Sequence, residues 1–379
     1  MKIAFDISQI VYPGTGVGKY VRDLIEHLVG KYDDNFILFG SSLRKYSELK
    51  KFQESIKKRN VHTKLLPIPP TILSILWNDL HQFPIEKFIG NVDIFHSSDW
   101  TSPPTKAINI TTIYDLIVFK YPQTSDTGII STQKKRLQWV KKETDMIIAI
   151  SQNTKKDIID IMHIPDEKIR VIYPGLDKNF EKKSITEIIR VKKKYNITGD
   201  YILSLGTLEP RKNIAQAIEA FNYFQHADWK NIKNPVQLVL VGKTGWGNAP
   251  IPVGENIKTL GYVDDVDIPS VYSGASMFVY PSLYEGFGYP VAEAMACGVP
   301  VLTSNRGSLK ETAGNAGIYI NPEDPLDIAQ KMIELYKDEN RRRKFIDRGF
   351  SQVKQFSMKN MTTQTFELYK ELYEKRNKT

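Results

Sequence analysis

FVYPSLYEGFGYPVAEAMACGVPVLTS, residues 278–304, reads as strand, loop, helix and strand in succession. FVYPS is an apolar run of strand length with its exit turn. Pro290 suits a first helical turn, where its missing N–H and fixed φ cost nothing. Between strand and helix lies Gly286-Phe287-Gly288, followed by Tyr289. Glycines in such a loop let the backbone approach a ligand closely, and the helix N-terminus that follows supplies N–H groups and partial positive charge, so an anion is the expected guest. Glu285 and Glu293 stand on either side of this turn with seven residues between them. Glu293 falls one turn inside the helix, too far in to cap it. There it can accept hydrogen bonds from a pair of neighbouring hydroxyls, while Glu285 reaches the same pocket from the loop.

The same alternation extends in both directions. KIAFDIS, NFILFG, VDIFHSS, NITTIYDL, MIIAIS and IRVIYPG form one series of strand candidates, and YILSLGT, VQLVLVGK, IKTLGYV, MFVYPS, VPVLTS and GIYI form a second. Helical patterns such as 18–29, 154–162, 214–222 and 327–337 separate them, which implies βαβ units and parallel sheets. Pro174 and Gly175 punctuate the chain between the series. We therefore expect an α/β protein of two doubly wound domains, 1–177 and 178–356, with ligands at the carboxyl ends of the strands. The tail 357–379 has helical spacing, with Met361, Phe366, Leu368, Tyr369 and Tyr373 as packing candidates.

Composition narrows the classes. With 379 residues, 41% hydrophobic and 25% charged, the chain is that of an ordinary globular protein of about two domains. Its single cysteine, Cys297, excludes an internal disulfide and lies in an apolar run, which suits a buried thiol in a reducing, cytoplasmic setting. The start, MKIAFDIS, leads into a glycine loop and reads as a strand rather than a signal peptide. The net charge of +9 is spread evenly: residues 1–178 carry 25 basic and 20 acidic side chains, the remainder 27 and 23. No domain is therefore a basic nucleic-acid module. Two local clusters stand out, Lys50, Lys51, Lys57, Lys58 and Arg59, and Lys134, Lys135, Arg136, Lys141 and Lys142. The second interleaves Leu137, Trp139 and Val140 and fits a helix resting on an anionic membrane surface.

Four further stretches carry chemistry. Gly14-Thr15-Gly16-Val17-Gly18-Lys19 follows the first strand. It is neither a dinucleotide fingerprint, since its spacing is GxGxG, nor a phosphate-binding P-loop, since Pro13 and Tyr20 stand where glycine and Ser/Thr are required. Gly206-Thr207-Leu208-Glu209-Pro210-Arg211-Lys212-Asn213 closes the first strand of the second series and sets two cations side by side. Lys243, Tyr262 and Val263 close the next two strands. In the first series His96 ends VDIFHSS, and Tyr114-Asp115 ends NITTIYDL.

Taken in order across nearly the whole chain, these stretches resemble the retaining, sugar-nucleotide-dependent glycosyltransferases of family 4, which have the GT-B fold. The resemblance is nearest to bacterial and archaeal mannosyl-type enzymes of surface-polysaccharide assembly. It implies two Rossmann-like domains facing a central cleft, with the C-terminal helix crossing back to the first. It implies a hexosyl donor of the GDP-mannose or UDP-glucose type, no other cofactor and no metal, and the chain is expected to lack the Asp-x-Asp triplet that usually holds a metal-bound diphosphate. In that reading Arg211 and Lys212 stabilise the departing diphosphate, with Gly14 and Gly16 beside it. Glu293 takes the ribose. Glu285, with Gly286, Phe287, Gly288 and Tyr289, takes the sugar and phosphate, and Lys243, Tyr262 and Val263 line the base. Asp115, Tyr114 and His96 stand on the acceptor side, and the acceptor is a saccharide or lipid-linked saccharide. Tyr114 departs from the family, where a histidine is common, and a phenol does not titrate near neutral pH. A sugar-nucleotide epimerase, a phosphorylase and a non-catalytic nucleotide-sugar-binding protein stay open as alternatives; a dehydrogenase is disfavoured by the GxGxG spacing. The oligomeric state is not legible.

Overall fold

KIAFD forms β1 (Lys2–Asp6), with every residue after Lys2 buried, because a parallel strand covered on both faces tolerates no polar alternation. It is followed by β2 (Asn35–Ser41), β3 (Val61–Leu66), β4 (Ile94–Ser97), β5 (Ile108–Ile113), β6 (Met146–Ala149) and β7 (Ile169–Val171). These pair in parallel in the order β3-β2-β1-β4-β5-β6-β7. The computed structural model describes residues 1–12, 14–207, 209–227, 235–242, 254 and 256–378. They divide into two units, Met1–Gly175 with Phe356–Thr379, and Leu176–Gln355.

β3 was not among the expected strands. VHTKLL alternates half-buried and exposed residues at the sheet edge, so it lacks the continuous apolar run that marks the inner strands. Helix α1 (Gly16–Lys31) follows β1. Its Thr15 cap accepts from the Gly18 amide at 3.1 Å and donates to the Tyr12 carbonyl at 2.9 Å. Helix α2 (Thr127–Glu143), capped by Asp126, precedes β6.

The second unit repeats the plan. β8 (Tyr201–Leu205), β9 (Gln237–Val241), β10 (Ile257–Gly261), β11 (Met277–Tyr280), β12 (Val301–Ser304) and β13 (Gly317–Ile320) pair in parallel in the order β10-β9-β8-β11-β12-β13. One hydrophobic cluster on this sheet includes Phe278, Tyr280 and Met295, and another includes Phe221, Leu302 and Met332. Helix α3 (Ile214–Gln225) follows β8, and α4 (Tyr289–Ala296) follows β11 with Pro290 in its first turn. Cys297 is buried, as its apolar run suggested.

The last helix, α5 (Met358–Lys378), belongs to the first unit. Phe366 stacks on Tyr32 of the α1 C-cap, with ring centroids 3.5 Å apart, and Lys31 donates to Thr363 at 2.7 Å. Gly175 is required where this helix returns: a Cβ there would lie 2.6 Å from the Met358 Cα. Among the described residues no helix is long and apolar enough to cross a membrane.

In each sheet the strand order reverses direction beside the first strand of its series, between β1 and β4 and between β8 and β11. Loops leaving such a switch point diverge and leave a crevice, which is where ligands of doubly wound sheets bind.

Candidate functional site

In the second unit the loops after β8 and β11 carry Arg211, Lys212 and Glu285, so both arise at the switch point. Glu285 is the hub. Its Oε1 accepts from Lys212 Nζ at 2.6 Å, from the Tyr280 hydroxyl at 2.8 Å and from Ser282 Oγ at 2.7 Å. Its Oε2 lies 2.8 Å from Arg211 Nη1. Lys212 also donates to the Tyr280 hydroxyl at 2.7 Å, and Arg211 to the Tyr284 carbonyl at 2.6 Å and to Glu209. Lys212 and Glu285 are each 8% exposed. Burial by itself would raise the Glu285 carboxyl, but Arg211 and Lys212 overcome this and hold it down at about 2. Burial draws Lys212 below its ordinary value, against the opposing pull of Glu285. A desolvated charge cluster of this kind is costly unless each member is paired, as here, or offered a ligand of matching charge.

The backbone around the cluster is built for close approach. Gly288 caps α4 at φ +92°. Ser308 Oγ donates to the Glu285 carbonyl at 2.9 Å and Thr312 to that of Phe287, so the loop after β12 supports the Glu285 turn from behind. Gly307, at φ +56°, passes so near that a Cβ would lie 2.9 Å from the Glu285 carbonyl oxygen. β8 and β9 are each followed directly by a glycine, Gly206 and Gly242, and β10 ends on Gly261. A Cβ on Gly242 would come within 1.9 Å of the Gly206 oxygen, so the ends of β8 and β9 pack backbone against backbone. The sequence reading placed Gly206 and Gly261 at strand ends but passed over the backbone contact between Gly206 and Gly242. It also passed over Tyr280 and Ser282, whose hydroxyls complete the coordination of Glu285. Asn213, at φ +58°, bridges the Pro281 carbonyl at 3.3 Å and the Pro322 carbonyl at 2.5 Å. Its position after Arg211-Lys212 therefore has a structural cause.

Glu293 is 8% exposed on α4, where Tyr272 donates to it at 3.3 Å. Phe287 is buried and Tyr289 half-buried, and the two rings meet edge-on at 5.2 Å. Tyr262 is 58% exposed, whereas the Val263 side chain is buried in the core and offers a ligand only its backbone. Lys243 lies outside the described residues. An Asp-x-Asp triplet does occur, Asp265-Val266-Asp267, contrary to expectation. Asp267 is 1% exposed and accepts from Arg190 at 2.7 Å, Lys194 at 2.6 Å and Tyr195 at 3.0 Å, so it ties down a helix. Among the described residues no group of His, Cys, Asp or Glu is arranged to hold a metal ion.

In the first unit, a small cavity lined by Phe5, Asp6, Tyr20, His96, Ser97 and Tyr114 lies at the β1/β4 switch point. His96 is buried with both ring nitrogens engaged, Nδ1 to the Tyr369 hydroxyl at 2.6 Å and Nε2 to Thr112 Oγ1 at 2.9 Å. Burial, reinforced by Arg136, lowers its pKa to about 3, so the ring is neutral. Tyr114 meets the Tyr20 ring edge-on at 5.2 Å. Asp115 accepts from the Ile117 amide at 3.0 Å and is half-buried. Gly14, at φ +82°, and Gly16 are exposed at the start of α1.

Arg136 corrects the basic-cluster expectation. It is 1% exposed, donates to the Ser98 carbonyl at 3.1 Å and to Thr111 at 2.7 Å, and pairs with Asp99 at 3.2 Å. Helical spacing places it with Gln133, Leu137 and Val140 on the inward face of α2, while Lys134, Lys135, Lys141 and Lys142 face out.

Residues 14–180 match the model described as Glycosyltransferase Family 4, and residues 185–352 match Glycosyl transferases group 1. O-antigen chain mannosyltransferase B of Escherichia coli is 31% identical over 387 residues, covering 98% of this chain and all of that protein. Sucrose-phosphate synthase from Thermosynechococcus elongatus superposes with a TM-score of 0.74 at 19% identity, covering 98% of this chain and 99% of that one. Anabaena HepE, solved in complex with UDP and glucose, gives 0.71 at 16% identity, covering 98% and 100%.

Proposed function

The chain belongs to the glycosyltransferases, family 4 in its first half and group 1 in its second, and from that premise we propose that it transfers a hexosyl group from a nucleoside-diphosphate sugar. The acceptor is a hydroxyl of a saccharide or lipid-linked saccharide, in polysaccharide or glycolipid assembly. The name of the E. coli relative favours mannosyl over glucosyl.

One observation carries the reading: two cations, half-buried Arg211 and buried Lys212, converge with Glu285 where the strand order reverses. When the donor's C1–O bond breaks, the electron pair stays on the diphosphate. Fixed cations in a water-poor site stabilise that charge without reorganising. We assign them this role, with no metal required. The amides of Phe287, Gly288 and Tyr289 take phosphate or sugar hydroxyls, Glu293 the ribose, and Glu285 the sugar. The acceptor oxygen bonds to C1 on the face the diphosphate leaves, so configuration is retained, and its proton passes to the diphosphate. Asp115 and Tyr114 stand on the acceptor side. His96, neutral and engaged at both nitrogens, orients its strand end and does not titrate in the working range.

A thermal-shift panel of GDP, UDP, ADP and dTDP, each with and without EDTA, tests the site. At a hundredfold excess over Kd a bound diphosphate adds about 2.7 kcal/mol of stability. A shift with one nucleotide that survives EDTA supports the cation clamp and identifies the base. No shift with any of them sinks it.

A further inference from the structure

Segment 70–83 of the first unit exposes an unusual amount of apolar surface. Ile72, Ile75, Leu80 and Phe83 are each 53–58% exposed. Single exposed apolar residues are ordinary; four of them within twelve positions mark an interaction surface. The backbone presents them at a cost. His81 and Phe83 hold positive φ, +50° and +61°. A bulky aromatic in that region is strained, and its ring still points outward instead of into the core. Trp77 braces the turn by donating Nε1–H to the Phe83 carbonyl at 3.0 Å.

This segment is fastened to α2 along one stripe. Trp139 donates to the Asn78 carbonyl at 2.9 Å, and His81 stacks on the Trp139 ring at 3.5 Å and contacts Glu143 at 2.8 Å. Lys135 pairs with Asp79, and Lys142 lies over Trp139 at 4.6 Å. The outward lysines of α2 thus border the apolar segment, with Lys134 next on the same exposed face. Asp79 and Glu143 are the acidic groups in these contacts, and each is paired.

We infer that residues 70–83 and the outer face of α2 form one membrane-docking surface, in which Ile72, Ile75, Leu80 and Phe83 enter the acyl boundary of an anionic bilayer and Lys134, Lys141 and Lys142 contact its headgroups. Charge complementarity selects this occupant, since apolar anchors rimmed by lysines match an anionic lipid interface. The inference is independent of the transfer reaction, because binding is read with no donor or acceptor present.

The test is co-sedimentation of the whole protein with vesicles of phosphatidylcholine alone or mixed with phosphatidylglycerol. The protein should pellet with the anionic vesicles only. Lys134→Gln with Lys142→Gln should weaken binding roughly fivefold per lysine removed. Ile75→Ser with Phe83→Ser, both on exposed side chains, should weaken it at least ~tenfold with the melting temperature held. Lys50→Gln with Lys57→Gln, in the other basic cluster, should leave it unchanged. The proposal fails if the wild type ignores anionic vesicles, if the serine pair binds like wild type, or if the Lys50/Lys57 variant loses as much as the Lys134/Lys142 one. It also fails if sedimentation velocity shows a dimer that the serine pair splits, since the face would then join two copies.

Discussion

Lys212 Nζ and Glu285 Oε1 meet at 2.6 Å although 73 residues separate them, and both side chains are almost wholly buried. The pair exists because β8 and β11 are neighbours in the sheet, so the loops that leave them converge.

Removing the acid should therefore cost stability as well as activity. Glu285→Gln leaves Lys212 without its counter-charge and Arg211 with Glu209 alone, and breaking a buried pair from one side costs about 3–5 kcal/mol. A nucleoside diphosphate should restore more stability to this variant than to the wild type, because it supplies the missing negative charge. Equal ligand-induced shifts in the two proteins would show that the diphosphate does not meet these cations.

Arg211→Ala should lower turnover at least ~100-fold in a protein that still folds, by analogy with removing one donor from a developing oxyanion. Steady-state transfer to a saccharide acceptor, with circular dichroism as a fold control, measures it. Near-wild-type turnover would remove Arg211 from the reaction.

Tyr280→Phe isolates the hydroxyl that accepts from Lys212 and donates to Glu285. Its loss should cost about 1–3 kcal/mol, the range for leaving buried polar partners unsatisfied. Chemical denaturation resolves this, and an unchanged midpoint would show that the ion pair stands without it.

His96 predicts an acid limit for the first unit. Its ring titrates near 6.5 when unfolded and near 3 when folded. Between those values the unfolded chain binds a proton that the folded one refuses, so stability falls as pH drops from about 6.5 towards 3. Glu285 adds a second loss lower down, from about 4.5 towards 2. Melting temperatures from pH 8 to 4 should decline for the wild type and decline less for His96→Asn. Parallel curves would assign the decline to other groups.

Gly242→Ala should unfold the second unit or destabilise it by at least ~3 kcal/mol, since the new methyl would sit 1.9 Å from the Gly206 oxygen at an already positive φ. Differential scanning calorimetry would register this as an early transition. A variant melting with the wild type would show that the two strand ends can separate.

Much of this was legible in the sequence. Apolar runs marked twelve of the thirteen strands among the described residues, most plainly the inner ones, because a strand buried on both faces must be apolar throughout. β3 escaped because VHTKLL, at a sheet edge, alternates half-buried and exposed positions and has no apolar run until its end. The Arg211-Lys212 pair and the two glutamates were visible for a different reason: a loop after a parallel strand, opening a helix, is a local arrangement that can be read residue by residue. What local reading could not supply was each side chain's partner. Lys134 to Lys142 formed one basic cluster in the sequence, yet helix phase turned Arg136 inward to Asp99 and Thr111 and left its neighbours outside. His96 looked like an acceptor-side group, but Tyr369, from a helix 273 residues away, engages its Nδ1. Sequence determined the two α/β units and their family, since strand and helix periodicity are properties of neighbouring residues. Tertiary structure decided the charge states and pairings within each unit, since those depend on burial and on partners brought in by the order of the strands.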